Sequence, residues 1–265
     1  MIRLLKEGDN MKIGIVGLGH VGSAMKELFP EAIVYDKYKN TKGTKEEINS
    51  CQAVFVCVPT PQNSDGSCDT TCVDEVLDWI ESDVIIIRST VPVGYTESKV
   101  KELNKKIVFQ PEYYGETVDH PFANLKNRKW LVLGGEQTSS NLALKAYQTV
   151  YNSDIDIYFL SSNEAELAKY MENAYLALKV TFCNQMYDIA QAMKIDYNKV
   201  REAWARDPRI TKSHTFVYED DRGYGGSCLP KDVASLIYQA QKFGEDPTLL
   251  KTMRTINNKY RGHND

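Results

Sequence analysis

Three glycines and a cysteine, followed four residues later by a carboxylate, give this chain its clearest candidate for covalent chemistry. The run is Gly223-Tyr224-Gly225-Gly226-Ser227-Cys228-Leu229-Pro230-Lys231-Asp232. The glycines permit a tight turn, and Pro230 suits the first turn of a helix, where its missing N–H goes unused. The apolar spacing of Val233, Leu236, Ile237 and Ala240 continues that helix. Cys228 and Asp232 then share a face. A helix N-terminus and the neighbouring Lys231 both favour the thiolate, the nucleophilic form of cysteine. The competing reading is an inert cysteine packed beside a loop.

A second constellation is suited to a dinucleotide. Lys12–Val16 is a short apolar strand running into Gly17-Leu18-Gly19-His20-Val21-Gly22, a GxGxxG turn that opens a helix through Leu28. In such a turn the first glycine allows the bend, the second lets a pyrophosphate approach, and the third allows close helix–strand packing. The phosphates sit on the helix N-terminus. A second strand, Ala32–Tyr35, ends at Asp36. An acid about 20 residues beyond the turn accepts from a ribose 2′-OH and repels a 2′-phosphate, so NAD is expected over NADP.

Lys169 and Asn173 form a third pair. Four residues apart, they lie on one face of a helix that also carries Glu166 and Glu172. Spacing alone leaves Lys169 open to being an ordinary solvated charge.

Alternating strands and helices must position these groups. Ala53–Val58, halted by Pro59-Thr60-Pro61, and Val84–Arg88, ending at Ser89-Thr90, read as buried strands, followed by Ile107–Phe109, Trp130–Leu133 and Ile155–Phe159. Beyond Ser161 the pattern is helical: Asn163 to about Met193 holds no Gly or Pro, and a shorter helix covers Tyr197–Ala205. The expected fold is α/β, a Rossmann-type doubly wound parallel sheet followed by a smaller all-helical domain. Residues 1–10 read as a flexible leader, 11–160 as the dinucleotide domain and 161–265 as the helical domain. Ligands are expected at the C-terminal ends of the strands.

Composition narrows the classes. The 265 residues carry a net charge of −4, which offers no bulk attraction to nucleic acid or to a membrane surface. No apolar run reaches the roughly 18 to 20 residues of a span, and the charged start is unlike a signal peptide. A cytoplasmic location is the default expectation. The six cysteines have neither disulfide nor zinc-ligand spacing, so no metal is expected. Cys51 and Cys57 fall in or beside an apolar strand, and Cys68 and Cys72 read as surface thiols near a helix start.

Together these motifs resemble the UDP-glucose/GDP-mannose dehydrogenase family from about Met11 to the end. The resemblance is carried by Gly17–Gly22, Val58-Pro59-Thr60-Pro61, Ser89-Thr90-Val91-Pro92-Val93-Gly94, Gln110-Pro111-Glu112-Tyr113-Tyr114-Gly115-Glu116, Lys169 with Asn173, Asp207-Pro208-Arg209-Ile210, and above all Gly225–Asp232. It implies an NAD-binding domain contacting the cofactor through Gly17, Gly19, His20, Val21, Gly22, Asp36, Val58, Pro59, Thr60, Ser89 and Thr90. It also implies a helical domain that forms a homodimer, and oxidation of a nucleotide-sugar primary alcohol to a carboxylate with two NAD per turnover. Cys228 would be the nucleophile, and Lys169 and Asn173 would stabilise oxygen charge. Asp232 and Glu112 would orient or activate water with help from Thr90. Glu116, Arg209, Gly225 and Lys231 would join Lys169 and Asn173 around the substrate, Arg209 by reaching into the neighbouring subunit.

The chain departs from the family pattern in several places. The segment from Asp36 to Ala53 is short, Gly115 replaces a larger residue, Thr211 stands where glycine is common, and Lys212–Arg222 is extended and charged. A third, C-terminal domain that grips the nucleotide in full-length members is expected to be absent, since the sequence ends at Asp265. Two rival readings stay open. One is a 3-hydroxyacid or 6-phosphogluconate dehydrogenase, which also uses Lys and Asn one turn apart but needs no cysteine. The other is a non-catalytic NAD-binding dimer.

Overall fold

Seven short strands, β1 (Ile13–Val16), β2 (Ile33–Tyr35), β3 (Ala53–Val56), β4 (Val84–Ile87), β5 (Ile107–Phe109), β6 (Trp130–Gly134) and β7 (Asp156–Leu160), form one sheet in the order β2-β1-β3-β4-β5-β6-β7. They come from a computed structural model that describes residues 11–113, 124–151 and 155–262. The helices are α1 (His20–Leu28), α2 (Lys45–Asn49), α3 (Thr71–Trp79), α4 (Tyr95–Leu103), α5 (Gln137–Tyr147), α6 (Ser162–Ala192), α7 (Tyr197–Trp204), α8 (Leu229–Lys242) and α9 (Thr248–Arg261).

The chain divides into two compact units. One takes in the chain up to Pro61 together with Cys68–Lys169; the other takes in Gln62–Ser67 and everything from Tyr170 on. The division falls inside α6.

In the first unit every residue of β1, β3 and β4 is buried. Continuous apolar runs of this kind suit a parallel sheet covered on both faces. Period-two alternation sends Ile13, Ile15, Phe55, Val84 and Ile86 to one core with Met25 and Leu28 of α1 and Leu144 and Tyr147 of α5. Val16, Val54, Val56, Ile85 and Ile87 go to the other, with Ile48 of α2 and Val73 and Leu77 of α3. Helices on both faces make the sheet doubly wound, as expected. One pairing differs from an all-parallel sheet: β6 meets β5 antiparallel through Phe109 and Gly134, while β6 and β7 are parallel over five residue pairs. The chain leaves β1 for β2 on one side and returns to β3 on the other, so the crevice at a topological switch point lies beyond the C-terminal ends of β1 and β3.

Helix α6, which starts in the first unit and continues into the second, has neither Gly nor Pro to interrupt it. Its start is closed reciprocally, the Ser161 N–H donating to Glu164 Oε2 at 2.7 Å and the Glu164 N–H to Ser161 Oγ at 3.3 Å. Asp196 caps α7 through the N–H groups of Asn198 and Lys199. Ala177, Tyr224, Val233, Ile237 and Met253 join α6, the glycine-rich loop, α8 and α9 in one core.

Candidate active site

The GxGxxG turn has the geometry its glycines suggest. Gly17 sits at φ +91°, and a Cβ there would meet the Cys57 carbonyl oxygen at 2.6 Å. A Cβ on Gly22 would collide with the Gly17 carbonyl, so the third glycine permits close packing. Gly19 has open space where its side chain would lie. It is the N-cap of α1, whose first turn receives no side-chain cap. A turn with an open glycine beside an uncapped helix start fits a pyrophosphate.

Asp36 closes the far side of this turn. Its Oδ2 accepts from the Leu18 N–H at 2.7 Å, and its Oδ1 from the N–H groups of Tyr38 and Lys39. Burial opposes its ionisation, but those three bonds and the Lys39 charge outweigh it and hold the carboxyl below its ordinary value. Val58, Pro59 and Thr60 follow β3, and Ser89 and Thr90 follow β4, so the sequence-predicted cofactor residues all lie beyond the C-terminal ends of neighbouring strands. The Ser89 hydroxyl donates to the Val58 carbonyl at 2.6 Å and ties the two loops together. Asp36→Ala is expected to weaken NAD binding by about 1.5–3 kcal/mol, the range for a charged hydrogen bond, with Asp36→Asn in between because it keeps an acceptor for Leu18. Calorimetric titration checks this, and equal or tighter binding of NADP by the wild-type chain would contradict the reading.

Also in the first unit, Glu112 follows β5 and is buried among cations. Its Oε1 accepts from Arg128 Nη2 at 2.9 Å and from the Tyr113 N–H at 2.6 Å, while its Oε2 accepts from Arg88 Nη2. Arg88 is itself buried and donates to the carbonyls of Gln110 and Pro111. Lys169 is 8% exposed, with its ammonium 5.3 Å from the centre of the Tyr113 ring. The solvated-charge reading of Lys169 therefore fails: an ammonium this buried sits against a π face instead of water.

In the second unit Asn173, Lys231 and Asp232 converge, and Cys228 lies one helical turn from Asp232 along the backbone. Cys228 is the exposed N-cap of α8, and Pro230 lies in the first turn. Asp232 is 1% exposed. Asn173 Nδ2 donates to its Oδ2 at 2.5 Å, and Lys231 Nζ to its Oδ1 at 2.6 Å. The Asp232 N–H closes the first α8 turn onto the Cys228 carbonyl at 3.0 Å. The backbones of Cys228 and Asp232 are thus one helical turn apart, as the four-residue spacing requires.

Other expected residues stand apart. Glu116, with Tyr114 and Gly115, lies outside the described residues. The exposed Arg209 folds back on Asp207, its guanidinium forking onto both carboxylate oxygens. Cys68 is buried rather than at the surface, its thiol reaching the Thr90 carbonyl at 3.5 Å.

Several supporting residues were not read from the sequence. Asn257 of α9 accepts from the Tyr224 N–H at 2.7 Å and donates to the Tyr224 carbonyl at 3.0 Å, gripping the glycine-rich loop by its backbone. A Cβ on Gly225 would lie 2.8 Å from Arg261 Nη2, the mobile end of a long side chain of α9 that can swing aside, so this contact does not by itself demand a glycine. Leu250, Met253, Ile256 and Asn257, between Pro247 and Gly262, carry a helical period that signals α9. Arg88 and Arg128 gave no such signal.

Comparison with known proteins agrees with both units. Residues 23–154 match the NAD-binding domain of the UDP-glucose/GDP-mannose dehydrogenase family, and residues 163–259 match its central domain. A UDP-glucose 6-dehydrogenase of Pseudomonas aeruginosa is 30% identical over 82% of this chain and 51% of its own length. A UDP-glucose 6-dehydrogenase of Bacillus subtilis is 27% identical over 94% of this chain and 58% of its own. The chain spans about half the length of the curated relatives it matches. Among solved structures, a UDP-glucose dehydrogenase from Pyrobaculum islandicum superposes with a TM-score of 0.80 at 24% identity, covering 97% of this chain and 70% of that one. A UDP-D-ManNAc dehydrogenase from Pyrococcus horikoshii gives 0.81 at 21%, covering 95% and 69%. The fold, the glycine turn with its terminal acid, and the cysteine-bearing helix together assign this chain to the UDP-glucose/GDP-mannose dehydrogenase family, of which it carries the NAD-binding and central domains.

Proposed function

We propose that this chain oxidises the primary alcohol of a nucleotide sugar to a carboxylate, with Cys228 as the covalent nucleophile and NAD as the oxidant. The observation that carries the proposal is the cluster at the start of α8: an exposed thiol at a helix N-terminus, one turn from a buried carboxylate held by Asn173 and Lys231. A one-step alcohol dehydrogenase has no use for that thiol.

The chemistry explains the need for it. NAD, when bound, accepts a hydride in each of two oxidations. The first turns the alcohol into an aldehyde, which has no further hydride to release until a nucleophile adds to its carbonyl carbon. The Cys228 thiolate adds, and the oxygen becomes the alkoxide of a thiohemiacetal. Loss of hydride then leaves a thioester on Cys228, and water cleaves it to the acid and the free thiol. Lys169 and Asn173 supply an ammonium and an amide for oxygen charge that grows in these steps. Asp232 is suited to handling the water proton. Both oxygens of Glu112 are taken by guanidiniums and an N–H, which suits it to orienting groups rather than abstracting protons. Thr90 would steady the water, Glu116 and Gly225 would line the sugar, and Arg209 would serve a partner subunit. A nucleophilic thiol must stay reduced, which suits the cytoplasm.

A homodimer is part of the same proposal. Met171, Tyr175, Phe182, Ile189 and Met193 recur at intervals of four and seven along one side of α6 and its end, and all are more than 40% exposed. An apolar groove of about 310 Å³ between α6 and α7 adjoins them. Contiguous apolar surface of this kind marks an interaction site. Light scattering at micromolar concentration is expected to give twice the chain mass, and Met171→Glu with Tyr175→Glu to give a monomer. A monomeric wild-type chain would contradict the dimer.

The reaction is tested by NADH release from UDP-glucose, UDP-N-acetyl sugars and GDP-mannose, with a 3-hydroxyacid and 6-phosphogluconate run beside them. Two NADH per sugar consumed is the expected result. One NADH from a hydroxyacid instead would move the assignment to the rival dehydrogenases, and none from any of them to a non-catalytic NAD-binding dimer.

A further inference from the structure

Helix α4 opens on a residue that cannot cap it. Gly94 is the N-cap, at φ 92° and without a side chain, and its helix has no local side-chain cap. The acceptor comes instead from Glu166 on α6. Glu166 Oε2 takes the Gly94 N–H at 2.7 Å, and Oε1 takes the Thr96 N–H at 2.9 Å. Glu166 is fully buried. Burial pushes its carboxyl up to about 7, against the pull of the bonds from Thr96 and Gly94. A buried carboxylate spent on the backbone of a distant helix fixes the relation between two elements.

Those elements carry functional residues. The strip Ser89–Val93 joins β4 to Gly94; its first residue is tied to the Val58 carbonyl at 2.6 Å, and Glu166 takes the N–H just past its last. Thr90 lies between the two anchors. Lys169 follows Glu166 by three residues on α6 and so lies on the same side of the helix. We propose that Glu166 is a positioning residue, one carboxylate that sets the Thr90 strip and the Lys169 turn of α6 against each other. What Thr90 and Lys169 then do rests on the dehydrogenase reading; that Glu166 holds the strip does not.

Hydrogen exchange and steady-state kinetics on the full chain test this with Glu166→Ala and Glu166→Gln. In Glu166→Ala, amide exchange across Ser89–Thr96 is expected to rise by about tenfold or more, while the β1–α1 turn stays as in wild type. Turnover per folded site should fall by about tenfold or more with the KM for NAD within about twofold, because the glycine turn and Asp36 are untouched. Glu166→Gln keeps one acceptor and should fall between the two. A carboxylate that served stability alone would lower the melting temperature and leave turnover per folded site and local exchange unchanged. That result, or exchange rising no more in Ser89–Thr96 than elsewhere, would overturn the proposal, and Glu166→Gln decides it if the alanine variant does not fold. If the wild-type chain releases no NADH from any nucleotide sugar, the dehydrogenase reading fails, and the exchange pattern still decides the role of Glu166.

Discussion

Cys228→Ser is expected to bind NAD within about twofold of wild type yet to form no net acid from a nucleotide sugar. Binding should survive because the glycine turn and Asp36 belong to the other compact unit and Cys228 makes no part of them. Turnover should not, because a serine hydroxyl ionises far less readily than a thiol at neutral pH and cannot add to the aldehyde at a useful rate. The structure sharpens the companion measurement. Burial raises the Cys51 and Cys183 thiols above their ordinary value and pushes Cys57 up to about 12, whereas Cys228 is exposed at the N-cap of α8. Iodoacetamide at neutral pH should therefore label Cys228 well before those three. Peptide mapping that found them equally reactive, or acid formation persisting in Cys228→Ser, would remove the basis for covalent catalysis.

What the sequence disclosed here is what local rules govern. The GxGxxG turn, the acid at the end of β2 and the proline-led start of α8 are short-range patterns, and each is found where its spacing put it. A short apolar run for a buried strand and a 3.6-period pattern for a helix announce themselves within about 4 to 18 residues. Contacts made across many residues do not. Arg88 and Arg128 reach Glu112 from 24 and 16 residues away, and Asn257 reaches Tyr224 from 33. Nothing in the neighbourhood of an arginine says that it will be buried against a glutamate. The buried state of Lys169 was hidden for the same reason, since i,i+4 spacing gives a face of the helix but not what covers it. Glu166 is the sharpest case: the missing cap at Gly94 is legible, but its remedy lies 72 residues downstream. The antiparallel β5–β6 pairing was equally silent, because strand composition carries no direction.

Asp232→Asn and Lys169→Ala are each expected to slow turnover by about a hundredfold or more, in the range for loss of a proton-transfer group or an oxyanion donor. For Asp232 the hydrogen bonds say why a near-isosteric change should be so damaging. Both its oxygens face donors, the Asn173 amide and the Lys231 ammonium. An asparagine must turn its own NH2 toward one of them, leaving a buried donor unpaired at about 1–3 kcal/mol. Asn173 would then lose its fixed orientation, so Asp232→Asn and Asn173→Ala together should cost much less than the product of the two single effects. The two substitutions should also fail at different steps. Without Asp232 to handle water, the thioester on Cys228 persists, and a burst of NADH up to two per site should precede a slow steady state. Without Lys169, oxygen charge is unsupported from the first oxidation, and no burst should appear. Stopped-flow absorbance of NADH reads both, and a full-rate steady state in Asp232→Asn would show that the buried carboxylate holds the start of α8 together without taking part in the hydrolysis.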